Sequence, residues 1–97
     1  MYAVMRRGKG NAGAEPEIAR RIEAGNVPLF RDLPGFVAYY FVDLGNDEGA
    51  SVSVFETREA AEEANRLTIE WAKQNLGDLV PAPLQASFGE VLVQVTK

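Results

Sequence analysis

The stretch from Leu33 to Phe55, LPGFVAYYFVDLGNDEGASVSVF, constrains the fold more than any other part of the chain. It reads as two strands joined by a turn. Leu33-Pro34-Gly35 is a stop-and-turn signal, because Pro34 pre-sets φ and Gly35 accepts φ > 0. Phe36 to Val42 is an unbroken apolar and aromatic run. Gly45 to Gly49, GNDEG, is a turn cluster. Ser51 to Phe55 is a second strand, β-branched and alternating. The first of these strands is apolar at odd and even positions alike, so both of its faces want burial. A one-sided antiparallel sheet alternates more cleanly. Strand side chains alternate, so Tyr39 and Tyr40 point to opposite faces. Parity groups Tyr40 with Phe36, Ala38 and Val42, and Tyr39 with Val37 and Phe41. Which group faces inward stays open.

The flanks complete the pattern. Tyr2 to Arg7 reads as a first strand, and Gly8 to Gly13 as a flexible loop. A helix is expected to begin near Glu15, with Pro16 in its first turn, where a missing N–H costs nothing. Ile18, Ile22 and Leu29 lie on one stripe. Gly25-Asn26 looks like a C-terminal break and Pro28 like a restart, so this helix should be kinked or in two pieces. Thr57 is a suitable N-cap for a second helix, Arg58 to Asn75. Ala60, Ala64, Leu67 and Trp71 form its inner stripe, with Ala61, Thr68 and Ala72 on the shoulder. Gly77 ends it. Leu79 to Pro83 is a rigid connector. Gln85 to Thr96 gives a last strand, with Val91, Val93 and Val95 on one face.

The order βαββαβ predicts one α+β domain over residues 1–97. It is ferredoxin-like, a four-stranded antiparallel sheet with two helices on one face. Two helices cover only one face, and Phe55 and Phe88 add apolar surface to what is left. A homodimer with facing sheets, a dimeric α/β barrel, is the simplest remedy.

Composition narrows the chemistry. Ten Lys and Arg against 14 Asp and Glu give a net charge of −4, where a nucleic-acid surface needs a basic patch. The third strand also lacks the basic residue and interleaved aromatics of an RNA-binding sheet. There is no Cys and no His. Disulfides, thiolate nucleophiles, the commonest metal ligand and the usual neutral-pH base are all missing. No metal and no cofactor is expected. No apolar run is long enough to span a membrane, and no signal-peptide core is visible at the N-terminus. The expected location is cytoplasmic.

Few motifs carry chemistry. Gly8 to Gly13 spells GxGxxG between a strand and a helix, the context of a dinucleotide fingerprint. The chain is too short for a doubly wound sheet, and Glu15 and Glu17 put negative charge where a pyrophosphate would sit. A loop is the better reading. Arg6, Arg7 and Lys9 form a basic cluster able to hold an anionic substrate group, or merely a solvated strand end. Tyr39, Tyr40, Asn65 and Trp71 are the other constellation. Asn65 and Trp71 project about 120° apart on their helix. Trp71 should face the sheet, with Asn65 nearer the edge, lining a cavity or sitting at the surface. Glu56, at the end of strand three, and Glu90, in strand four, are weaker candidates for a general base if buried.

PLFRDLPGFVAYYFVD, then SVSVFETREAAEEANRLTIEWAKQNL, then GEVLV resembles the antibiotic biosynthesis monooxygenase-like (ABM) proteins of the dimeric α/β-barrel superfamily. The resemblance spans about Tyr2 to Val95. It implies a ferredoxin-like protomer and a homodimer with facing sheets. Characterised members include cofactor-independent monooxygenases of polycyclic aromatic substrates and haem-degrading monooxygenases. In the first group a second-helix Asn and Trp, with a Tyr and an Arg, bind an enolisable substrate and help it react with oxygen. Asn65 and Trp71 fall in the corresponding helix at wider spacing, and no Arg follows Arg66. The haem-degrading group needs a second-helix His and a first-strand Asn, and this chain has neither.

Two functions follow. The first is a cofactor-independent monooxygenase on a small aromatic or enolisable substrate. Asn65 and Trp71 would be its catalytic residues, and Tyr39, Tyr40 and Arg6 would bind substrate. The alternative is a non-catalytic dimeric module that binds a small ligand or serves as a scaffold. A cavity holding Asn65, Trp71 and a tyrosine would favour the first. A second helix packed flat on the sheet would favour the other.

Overall fold

A computed structural model describes residues 1–97. The elements are β1 (Tyr2–Lys9), α1 (Glu15–Arg21), a π-helical turn (Ile22–Asn26), α2 (Val27–Phe30), β2 (Phe36–Gly45), β3 (Glu48–Phe55), α3 (Arg58–Asn75) and β4 (Gln85–Glu90). The four strands form one antiparallel sheet in the order β2-β3-β1-β4. This is the expected ferredoxin-like arrangement, with the helices packed on one face.

Local chemistry accounts for the boundaries. Leu33 to Phe36 is a turn closed by a Phe36 N–H to Leu33 C=O bond of 3.2 Å, with Gly35 at φ 88°. Pro34 and Gly35 thus occupy the positions a type II turn requires. The β2–β3 hairpin has a two-residue loop, Asn46-Asp47, both residues at positive φ, as a type I′ turn demands. The Thr57 hydroxyl accepts a 3.1 Å bond from the Ala60 N–H and caps α3.

Several expectations are corrected. The Gly25-Asn26 break does not occur, because a wider π turn carries the helix through it. The wide turn shifts the helical phase by about one residue. Phe30 is therefore buried instead of Leu29, and Ile18, Ile22, Asn26 and Phe30 form the inner row. On α3 the innermost residues are Ala61, Ala64 and Thr68, with Ala60, Leu67 and Trp71 half-buried. Small side chains let α3 lie close to the sheet, whereas Leu67 would hold it off.

In β2 the ladder slips between Phe36 and Ala38. This bulge reverses parity, so Phe36 shares a face with Tyr39 and Phe41 and not with Tyr40. Phe30, Phe36, Tyr39 and Phe55 form an aromatic group with centroid separations of 5.1–6.3 Å. Val4, Ala61 and Ala64 close the core around it. Phe55 is fully buried beneath the helices, and Phe88, opposite Val4, also points to the helix side. Neither belongs to the uncovered face.

β4 ends at Glu90, not Thr96. Its register pairs Glu90 with Tyr2, so the partner strand runs out there, and the Val91 N–H to Met1 C=O bond is the last one. Leu92, Val93 and Val95 are more than four-fifths exposed. The Gly8–Gly13 loop is tied down. Gly10 and Gly13 N–H groups reach Asp47, and Asn11 reaches Leu79 and Asp78.

The alternation along β3 is inverted. Ser51 and Ser53 are buried under the helices, while Val52 and Val54 lie on the open face. There they join cross-strand rows Tyr40–Val52–Met5 and Ala38–Val54–Ala3.

Candidate functional site

Strand alternation splits the basic cluster of β1. Val4 and Arg6 point beneath the helices, while Arg7 points outward and pairs with Glu48 at 2.9 Å. Lys9 is exposed. Arg6 is only 4% exposed. Its Nε donates to Asn65 Oδ1 at 2.9 Å, while its Nη2 is buried without a partner. No carboxylate lies within ion-pairing distance of it. Burial pulls the guanidinium pKa down and nearby Tyr39 pushes it up, yet an arginine keeps its charge in a protein. An uncompensated cation inside a domain is costly and calls for an explanation.

Arg6 lines a cavity of about 50 Å³ between sheet and helices. Tyr39 and Phe41 enter from β2, Ser51 from β3, Asn26 from the π turn, and Thr68 and Trp71 from α3. Burial raises the Tyr39 hydroxyl pKa, against smaller opposing effects of Ser51 and Arg6. Tyr39 is therefore a neutral donor near pH 7. Thr68 Oγ1 donates to Asn26 Oδ1 at 3.2 Å and joins the two helical layers. Trp71 lies across Gly25, where an added Cβ would stand 2.8 Å from the indole Nε1.

Glu15, at the start of α1, also lines the cavity. Its Oε2 is buried without a partner and lies over Gly49, where a Cβ would be 2.9 Å away. Burial raises its pKa, and the Asp43 and Asp47 carboxylates raise it further.

Beyond one wall is an open recess of about 400 Å³ under the connector Pro81–Leu84. Ala72, Leu76, Val80 and Leu84 are common to both spaces. The inner space alone is below the roughly 150 Å³ that accommodates benzene. The two together reach the range of small-molecule pockets.

The geometry thus brings Arg6, Tyr39 and Trp71 to one cavity. Asn65 does not line it; it acts on the cavity by holding Arg6. Tyr40 is 64% exposed on the opposite face of the sheet and is remote from it. Glu56 and Glu90 are exposed. Sequence reasoning overlooked Glu15, Asn26, Ser51 and Thr68. Asn26 follows a glycine and resembles a helix stop. Ser51 alternates with valine, so it resembles an outward residue. Only the position of Thr68 between Leu67 and Ile69, a polar residue flanked by apolar ones, carried a hint.

No protein-family model and no curated protein matches the chain. Solved structures do. A protein of unknown function from Nitrosomonas europaea, NE2512, superposes with a TM-score of 0.81 at 17% identity, over 99% of this chain and 93% of that one. A second protein of that organism, ascribed to antibiotic biosynthesis monooxygenases, gives 0.75 at 13% identity, over 96% and 100%. SnoaB of Streptomyces nogalater, a cofactor-independent oxygenase, gives 0.73 at 13% identity, over 99% and 97%. At such identities the likeness concerns backbone architecture. The chain has the fold of the antibiotic biosynthesis monooxygenase-like proteins.

Proposed function

We propose that the protein is a homodimeric, cofactor-independent monooxygenase acting on a small aromatic or enolisable substrate. The observation that carries this reading is the buried Arg6, with an unpartnered Nη2 at a cavity and no acid beside it. Such a group is satisfied by a ligand oxygen bearing negative charge. An enolate or phenolate is that ligand, and its stabilisation by a fixed cation in a dry site is large. Tyr39 supplies a second donor, and Trp71 and Phe41 supply flat apolar walls. In the overall reaction an activated methylene becomes a carbonyl. One atom of O₂ enters the product and the other leaves as water with the two hydrogens. The aromatic body would occupy the outer recess once Leu84 swings aside. SnoaB, a cofactor-independent oxygenase of the same fold, supports this reading by analogy alone.

The dimer rests on the inverted alternation of β3. A one-sided sheet puts its apolar residues under the helices. Here the valines of β3 face outward beside Met5, Tyr40 and Val42. A second copy of the same face would cover them, and the alternating Val91–Val95 segment would gain a strand partner.

Oxygen uptake with anthrone or a quinol is the test. Turnover that falls at least tenfold in Arg6→Met and Trp71→Ala supports the proposal. A folded protein that consumes no oxygen with any such substrate overturns it. The small inner cavity favours a second reading, a non-catalytic binding module. Quenching of Trp71 fluorescence by those compounds without oxygen uptake would establish it.

A further inference from the structure

Two polar groups of the cavity lack partners, and they carry opposite charge. Arg6 Nη2 is one and Glu15 Oε2 is the other. Both residues line the same space, yet they do not form an ion pair. In direct contact they would satisfy one another, because each would gain a charge-assisted bond. They are held apart by different anchors. Asn65 fixes the Arg6 Nε from α3. Glu15 is seated at the first turn of α1, with its oxygen against Gly49 and the Phe41 ring edge also at that position.

The spacing follows from the sheet. Gly49 is two residues along β3 from Ser51, the cross-strand partner of Arg6, which is about 7 Å of strand. Glycine at position 49 is what permits the carboxylate to enter, since a Cβ there would clash with both Glu15 and Phe41. The arrangement is a donor cation and an acceptor carboxylate facing a gap. A molecule that fills it presents an acceptor atom to Arg6 and an acidic hydrogen to Glu15.

We propose that Glu15 is the general base of this site, removing a proton from a carbon acid whose carbonyl oxygen lies on Arg6. This rests on the oxygenase reading and adds the residue that starts it. The substrate C–H bond breaks and its proton passes to Glu15 Oε2. The electron pair moves to the carbonyl oxygen, giving an enolate held by the guanidinium. No electrons leave the substrate in this step; O₂, the co-substrate, reacts afterwards with the enolate. The charges acting on Glu15 are the Asp43 and Asp47 carboxylates of the hairpin, and Arg6 of β1 lines the same cavity. The Leu79–Leu84 segment contributes only the apolar Val80 and Leu84 to the cavity. Burial of its oxygen, and after it the two carboxylates, make Glu15 more basic, which suits it to accept a proton from carbon.

The experiment separates proton removal from oxidation. Anthrone is incubated anaerobically in D₂O, and loss of its methylene proton signal is followed by NMR. The wild-type protein should accelerate exchange. Glu15→Gln should lower that acceleration by about 100-fold or more, with anthrone affinity, read from Trp71 fluorescence, changed less than threefold. Glu15→Asp should restore part of the exchange. Wild-type exchange rates in Glu15→Gln would overturn the role of Glu15 and leave the oxygenase reading standing. Oxygen uptake by wild type without anaerobic exchange would do the same. A wild-type protein showing neither would overturn both.

Discussion

Arg6 Nε donates to Asn65 Oδ1 at 2.9 Å, and this bond joins the middle of β1 to the middle of α3. It is the only side-chain bond that holds the buried cation. Removing the acceptor should therefore cost more than a surface hydrogen bond. Asn65→Ala is expected to destabilise the protein by about 2 kcal/mol, the penalty of leaving a buried charged donor unsatisfied. Arg6→Met, which removes the charge and keeps similar bulk, should cost less than this or stabilise the fold. Urea unfolding of both variants and of the double variant checks this, and the double should resemble Arg6→Met alone.

Gly25 makes room for the indole of Trp71. Gly25→Ala would gain about 0.5–1 kcal/mol of helix propensity. The new methyl would nevertheless stand 2.8 Å from Nε1, and overpacking costs about 1–3 kcal/mol. The clash should win. The expected outcome is a net loss of stability with a shifted emission maximum, because Trp71 is the only tryptophan.

Two glutamates should respond to acid in opposite ways. Glu17, bonded to Arg20 and Arg21, has its pKa held down to about 2. A depressed carboxylate stabilises the fold above its unfolded value of 4.5. That stability is lost as pH falls from about 4.5 toward 2. Glu17→Gln should be less stable than wild type at pH 7, and the difference should vanish by pH 2 and shrink in salt. Glu15 is raised instead. A raised carboxylate opposes folding once the pH exceeds its unfolded value, and the opposition disappears below it. Glu15→Gln should thus be more stable than wild type at pH 7 and lose that advantage as pH falls through 4.5. Thermal melts across pH 2–8 read both signs.

The proposed homodimer would form through the uncovered sheet face. Tyr40→Asp or Val42→Glu should convert a dimer into a monomer, since each puts charge into an apolar interface. Light scattering at micromolar concentration should give twice the 10.6 kDa chain mass for the wild type and 10.6 kDa for the variants. Deleting residues 92–97 should weaken the dimer, because it removes the exposed Leu92, Val93 and Val95. A monomeric wild type would overturn this reading.

What the sequence by itself determined was the order of the elements and those boundaries that local signals mark. The Pro34-Gly35 turn, the Gly45–Gly49 turn cluster, the Thr57 cap and the span of α3 all depend on residues a few positions apart. Local dihedral preferences and nearby hydrogen bonds decide them. The resemblance in the hairpin and second helix pointed to the right fold for the same reason.

What only the tertiary structure decided was which side of each element faces inward, and hence the site. A one-residue offset turns a helix by about 100° and flips a strand side chain to the other face. The π turn exchanged Leu29 for Phe30 and brought Asn26 inward. The bulge after Phe36 set Tyr39, and not Tyr40, beneath the helices. Ser51 and Ser53 took the inner face of β3 although valine alternates with them. Within Arg6-Arg7, the residue that became buried is the one in phase with Val4. Such offsets are nearly free in the isolated segment. Their cost is set by packing partners far along the chain, such as Asn65, 59 residues from Arg6, so no window of sequence contains it.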